Sequence, residues 1–138
     1  MPMNIDEITY QIRGAIFEVN RVLGPGFLEK VYENALLIEL RDRGLKANGQ
    51  VPLEVLYKEK SVGEYFADIF VEDQVILELK TVEQIKKIHE AQLLNYLKAT
   101  GIKVGLLVNF FHEKADIKRM VLKLPEGHDE FHPGRSAG

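Results

Sequence analysis

Phe66-Ala67-Asp68-Ile69-Phe70-Val71 is followed after a short gap by Val75-Ile76-Leu77-Glu78-Leu79-Lys80, and the fold turns on these two runs. Both runs are rich in β-branched and aromatic residues and predict strands, with Glu72-Asp73-Gln74 as the connecting loop. A loop of that length pairs Val71 with Val75, and the same register carried back sets Asp68 opposite Glu78 on one face of the sheet. Alternation places Lys80 on that face too. Two carboxylates held this close repel each other unless a cation or a shared proton lies between them. Mg²⁺ suits the position, since it takes carboxylate oxygens and water and leaves room for a substrate phosphate. The Lys80 ammonium beside it would position a water or contact that phosphate. Together these groups have the chemistry of metal-assisted phosphodiester hydrolysis.

Upstream, Val51 to Tyr57 and Val62 to Val71 predict a hairpin turning at Lys58-Glu59-Lys60-Ser61, so that Val75 to Lys80 completes a three-stranded antiparallel meander. Glu54 and Glu64 read as solvated strand positions. Before the meander, Ile5, Ile8, Ile12, Ala15, Ile16, Val19 and Val22 have the spacing of an amphipathic helix opened by an Asn4/Glu7 capping box and ended by Gly24-Pro25-Gly26. A second helix is expected from near Phe27 to about Arg43, with Gly44 at its C-terminus.

Downstream, Thr81 with Gln84 resembles another capping box, opening a helix that ends near Thr100-Gly101. Gln92 and Tyr96 stand at i and i+4 on it, sharing a face with Ile85 and roughly with His89. The near-continuous apolar run Ile102 to Phe110 suits a strand covered on both faces and is expected to be central. The intervening helix makes it a parallel neighbour of the Val75 strand. Arg119 to Leu124 reads as an edge strand, and the polar, Gly- and Pro-containing residues 125–138 as a flexible tail beyond a single domain over 1–124.

Composition narrows the function classes. The chain has 138 residues, 46% of them hydrophobic, and no cysteine, which removes disulfides, thiolate chemistry and cysteine-type zinc sites. No run approaches membrane-spanning length, so no membrane partner is expected, and a soluble, cytoplasmic protein is. His112, His128 and His132 lack ligand-like spacing, which argues against zinc. The net charge of −3 is unfavourable for tight non-specific nucleic-acid binding, although bound divalent ions reverse the field at the site itself.

Asp68 followed by Glu78-Leu79-Lys80 resembles the core of the PD-(D/E)XK nuclease superfamily, an acidic residue and then Glu-x-Lys on the next strand. Gly26-Phe27-Leu28-Glu29-Lys30-Val31-Tyr32 matches the Gly-x-x-Glu-x-x-Tyr signature of the GxxExxY branch, and Gln92 with Tyr96 is similar to the Gln-x-x-x-Tyr motif of RecB-like nucleases. The resemblance implies an α/β, restriction-endonuclease-like core in the order helix, helix, strand, strand, strand, helix, strand, strand, with a mixed sheet flanked by helices. It implies a Mg²⁺- or Mn²⁺-dependent nuclease acting on nucleic acid, DNA ahead of RNA. Asp68, Glu78 and the Leu79 carbonyl would hold metal, and Glu29 would add a third carboxylate or assist through water. Lys80 and Gln92 would handle water and phosphate, with Tyr32 and Tyr96 in support. By spacing alone Glu29 and Gln92 are ordinary exposed helix residues, and only the resemblance raises them. Asn109-Phe110 departs from the family by continuing into Phe111 rather than Gly.

The same residues admit a second reading, a non-catalytic module that keeps the fold and binds nucleic acid or protein through another surface. The acidic balance supports it, and the small size leaves substrate reading to a homo-oligomer or a partner protein. A third is a structural ion cluster in which Lys80 neutralises both acids.

Overall fold

The computed structural model describes residues 3–123. Its elements are α1 (Ile5–Leu23), α2 (Glu29–Asp42), β1 (Ala47–Tyr57), β2 (Lys60–Val71), β3 (Val75–Lys80), α3 (Lys87–Thr100), β4 (Val104–Asn109) and β5 (Asp116–Val121). The order is the one expected. The tail expected over 125–138 lies outside the described residues.

The strands form one sheet in the order β1-β2-β3-β4-β5. Neighbours are antiparallel except β3 and β4, which run parallel because α3 crosses over between them. One face carries Val71, Val75, Leu77, Leu79, Leu106 and Val108 against the buried stripes of α1 and α2. The other carries Ala67, Ile76 and Leu107 against Leu93 and Leu97 of α3. β3 and β4 are therefore covered on both sides, which is why their sequences are nearly continuous apolar runs.

Local signals act where they were expected at several ends. Asn4 accepts the Glu7 backbone N–H at 2.9 Å and opens α1, and Gly24, at φ +68°, closes it. At the end of α2, Gly44 donates to the Arg41 carbonyl and Leu45 to the Leu40 carbonyl, a Schellman arrangement that needs the left-handed backbone of Gly44.

Four expectations are corrected. The hairpin turn is tighter than Lys58 to Ser61, because Lys58 and Glu59 both take positive φ and Tyr57 pairs directly with Lys60. β4 is an interior strand but not the middle one, a place held by β3. β5 starts at Asp116, three residues before the expected Arg119, and is an edge strand as expected. α3 starts at Lys87 and not after Thr81, whose N–H and hydroxyl are both turned to Glu29. The helix is opened instead by His89, whose Nδ1 accepts the Lys86 N–H at 2.9 Å. Ile85 consequently precedes α3 and does not share its face with Gln92.

Candidate active site

The backbone ladder between β2 and β3 covers Val71/Val75, Phe70/Ile76 and Ile69/Leu77, then stops. β2 leaves at this point to follow β1 through their long hairpin, while β3 stays with β4. The change shows in packing: Ile69 belongs to the α1/α2 side and Ala67, two residues away, to the α3 side, so β2 twists sharply at Asp68.

Where the ladder stops, side chains replace it. The Asp68 N–H donates to Glu78 Oε1 at 3.1 Å, and the Leu79 N–H donates to Asp68 Oδ2 at 2.8 Å. Each acid thus satisfies a backbone donor that the fork would otherwise leave unpaired. The register expected from the loop length is the one found, and Asp68 and Glu78 face one another across the fork.

Burial makes this pair costly. Glu78 is 8% exposed. Its carboxyl is pushed up to about 8, first by loss of water and then by the charge of Asp68, against the pull of the Asp68 N–H and of Lys80. Asp68 also lies above its ordinary value, chiefly through burial and with Glu33 adding to it, while the Leu79 N–H, Lys80 and Gln50 act the other way. Lys80 is near enough for its charge to be felt at both acids, yet among the described residues it forms no ion pair within 4 Å. That arrangement does not match a structural ion cluster neutralised by Lys80.

Three residues fix the chain from Lys80 to Val82. The Phe110 N–H donates to the Lys80 carbonyl at 2.9 Å. Glu29 Oε1 accepts both the Thr81 N–H, at 3.2 Å, and its hydroxyl, at 2.9 Å. Buried Asn109 takes the Val82 N–H on Oδ1 and donates to the Val82 carbonyl at 2.7 Å. Tyr32 is wholly buried, stacks on Phe110 with ring centroids 4.4 Å apart, and donates its hydroxyl to the Gly24 carbonyl at 2.6 Å. The glycine-rich turn, α2 and the end of β4 are joined through that one ring.

The residues expected at the site divide as follows. Asp68, Glu78, Leu79 and Lys80 meet at the fork. Tyr96 is close to it, its phenol pushed up to about 12 by burial first and then by Glu78, Asp68 and Tyr65. Gln92 is exposed one turn before Tyr96 on α3. Glu29 is engaged with Thr81. The α2 carboxylate whose charge reaches Asp68 and Glu78 is Glu33, which is 4% exposed, paired with Lys30 at 2.8 Å and bonded to the Gln50 amide at 2.7 Å. Sequence reasoning did not single out Glu33, Gln50 or the anchoring role of Asn109. The one available signal was that Glu33 follows Glu29 by a helical turn.

Among the described residues no three acids or histidines are gathered closely enough to hold a metal ion by themselves. The donor set nevertheless suits a hard cation: two desolvated carboxylates meet with like charge, and Mg²⁺-type ions commonly use one or two protein carboxylates and complete their shell with water or phosphate.

A mixed sheet with helices on both faces and an Asp/Glu-x-Lys set at its fork defines an α/β protein of the restriction-endonuclease-like kind. The family model of the PD-(D/E)XK nuclease superfamily matches residues 6–120, and the chain belongs to that superfamily, whose members generally use divalent metals. The crystal structure of SSO0001 is similar at a TM-score of 0.52 and 20% identity, over 70% of this chain and 51% of that one. This chain thus spans about half the length of that protein, and the likeness concerns the fold. No curated protein matches the chain. Among the described residues no helix is long and apolar enough to cross a membrane.

Proposed function

We propose that the chain is a divalent-metal-dependent nuclease of the GxxExxY branch, hydrolysing phosphodiester bonds in nucleic acid, DNA ahead of RNA. The observation that carries the reading is the desolvated Asp68/Glu78 pair, whose like charges favour a proton or a cation between them. Asp68, Glu78 and the Leu79 carbonyl would hold Mg²⁺ or Mn²⁺. When bound, the ion supplies charge for the phosphate oxygens and acidifies a water.

The remaining work falls to the side chains of this protein. Lys80 leaves the end of β3 on the same face as Glu78, held there by the Phe110, Glu29 and Asn109 bonds around its backbone. With no ion pair within 4 Å among the described residues, its ammonium orients the attacking water or meets the charge that builds on the phosphate. Gln92, exposed on α3, offers an amide that both donates and accepts, so it orients phosphate or water in the manner of the Gln-x-x-x-Tyr motif. Tyr96 packs beside the pair and excludes water from it. Glu29 acts on the site through Thr81, by fixing the segment after Lys80.

The test is cleavage of labelled single- and double-stranded DNA and RNA with Mn²⁺, comparing the wild type with Glu78→Ala. Cleavage of one class, lost in the variant and in chelator, is expected. A folded wild type that binds Mn²⁺ and cuts none of them would establish the non-catalytic binding module instead.

A further inference from the structure

Gln50 breaks a rule of the strand it occupies. It lies inside β1, yet its φ is +50°, in the left-handed region that a side chain with a Cβ avoids. The β1/β2 ladder continues on either side, with Gly49 opposite Ile69 and Val51 opposite Ala67, and the gap between those pairs falls at Gln50 and Asp68. Strain of this kind persists where the surroundings hold it in place, and it is concentrated at working sites.

The Gln50 side chain shows what the surroundings hold. Its Nε2 donates to Glu33 Oε1 at 2.7 Å and lies 3.5 Å from Asp68 Oδ1. Glu33 is anchored on its other oxygen by Lys30 at 2.8 Å. Asp68 has its second oxygen, Oδ2, on the Leu79 N–H. One amide group therefore stands between two carboxylates and presents only N–H to both. The contact with Glu33 is short and the one with Asp68 is at the limit for a hydrogen bond, so the amide is fixed by α2 and only leans on Asp68. Oδ1 stays available to a cation while the side chain is kept from turning away. Gly49, with no side chain, leaves the space that Glu33 and Leu37 approach, since a Cβ there would stand 2.9 Å from Leu37 Cδ1 and 3.7 Å from Glu33 Oε2.

We propose that Gln50 is a positioning residue for the metal centre, its left-handed backbone serving to aim an amide that holds Asp68 through Glu33. The inference rests on the metal-site reading above. It separates two properties that a merely structural residue keeps together: the side chain is retained for ion binding at a cost in backbone conformation.

The experiment is Mn²⁺ calorimetry on the wild type, Gln50→Gly and Gln50→Asn, with urea unfolding of each protein in chelator. Glycine relieves the left-handed backbone and removes the amide. The expected result is an unfolding midpoint equal to or above wild type, with Mn²⁺ affinity about tenfold or more weaker, the scale of losing an outer partner of a metal ligand. Asparagine tolerates the backbone and keeps an amide one methylene short of Glu33, so it should stay as stable as wild type and lose affinity as glycine does. Unchanged Mn²⁺ affinity in both variants overturns the inference, and so does a glycine variant that loses stability while Gln50→Asn binds like wild type. A wild type that gives no Mn²⁺ signal overturns the metal-site reading itself, a result distinct from equal binding in all three proteins.

Discussion

Replacing Glu78 with Gln should make the metal-free protein more stable at alkaline pH and no less stable near pH 5. The Glu78 carboxyl, ordinarily near 4.5, is pushed up to about 8 in the fold by burial and then by Asp68. Between those values the folded state holds a proton that the unfolded chain has released, so stability falls as pH rises through this window and is flat outside it. The difference corresponds to on the order of 5 kcal/mol across the full window. Gln mimics the protonated acid and its oxygen can still accept the Asp68 N–H, so the variant should match wild type at pH 5 and exceed it at pH 8.5. Asp68, also raised, leaves a residual slope of the same sign in the variant. Urea unfolding in chelator, followed by circular dichroism from pH 5 to 8.5, gives the difference directly. Added Mn²⁺ should reverse the order at pH 8, stabilising the wild type by mass action and leaving Glu78→Gln nearly unaffected. Parallel curves for the two proteins, or a variant less stable than wild type at pH 8.5, would show that Glu78 is not held protonated by the fold.

Three further outcomes are expected. Lys80→Met should leave Mn²⁺ affinity nearly unchanged in calorimetry while lowering cleavage at least about a hundredfold, and equal loss of both would make Lys80 part of the ion's support. Tyr32→Phe keeps the stacking on Phe110 but strands the Gly24 carbonyl, costing about 1–2 kcal/mol and seen as a melting temperature lower by several degrees. Gly105→Ala puts a Cβ 2.9 Å from Leu93 Cδ1 and 3.1 Å from its Cγ, displacing α3 from β4. That should lower the urea-unfolding free energy by about 1–3 kcal/mol.

The features legible in the sequence are those set by near neighbours. The Val71/Val75 register follows from the length of the loop between them, and with it the meeting of Asp68 and Glu78. The start of α1 follows from Asn4 and Glu7, three residues apart. What was missed depends on distant partners. Thr81 has the form of a cap, but Glu29, 52 residues away, takes its hydroxyl, and Asn109 takes the backbone of Val82. With the segment after Lys80 tied down at both places, α3 begins only at Lys87. Glu33 escaped notice because its spacing from Glu29 does not reveal that it is buried; it is held by Gln50, whose conformation depends on the fork in the sheet. β4 was expected at the centre because its run is the most apolar, and hydrophobicity alone cannot rank two strands that are both covered on each face.

Asp68 and Glu78 are proposed to meet in order to hold a divalent cation. Anomalous diffraction from crystals soaked in Mn²⁺ tests it most directly. A peak is expected between the two carboxylates, about 2.0–2.3 Å from an oxygen of each and near the Leu79 carbonyl. A fork without a peak, with the Lys80 ammonium bonded to both acids at saturating Mn²⁺, would contradict it.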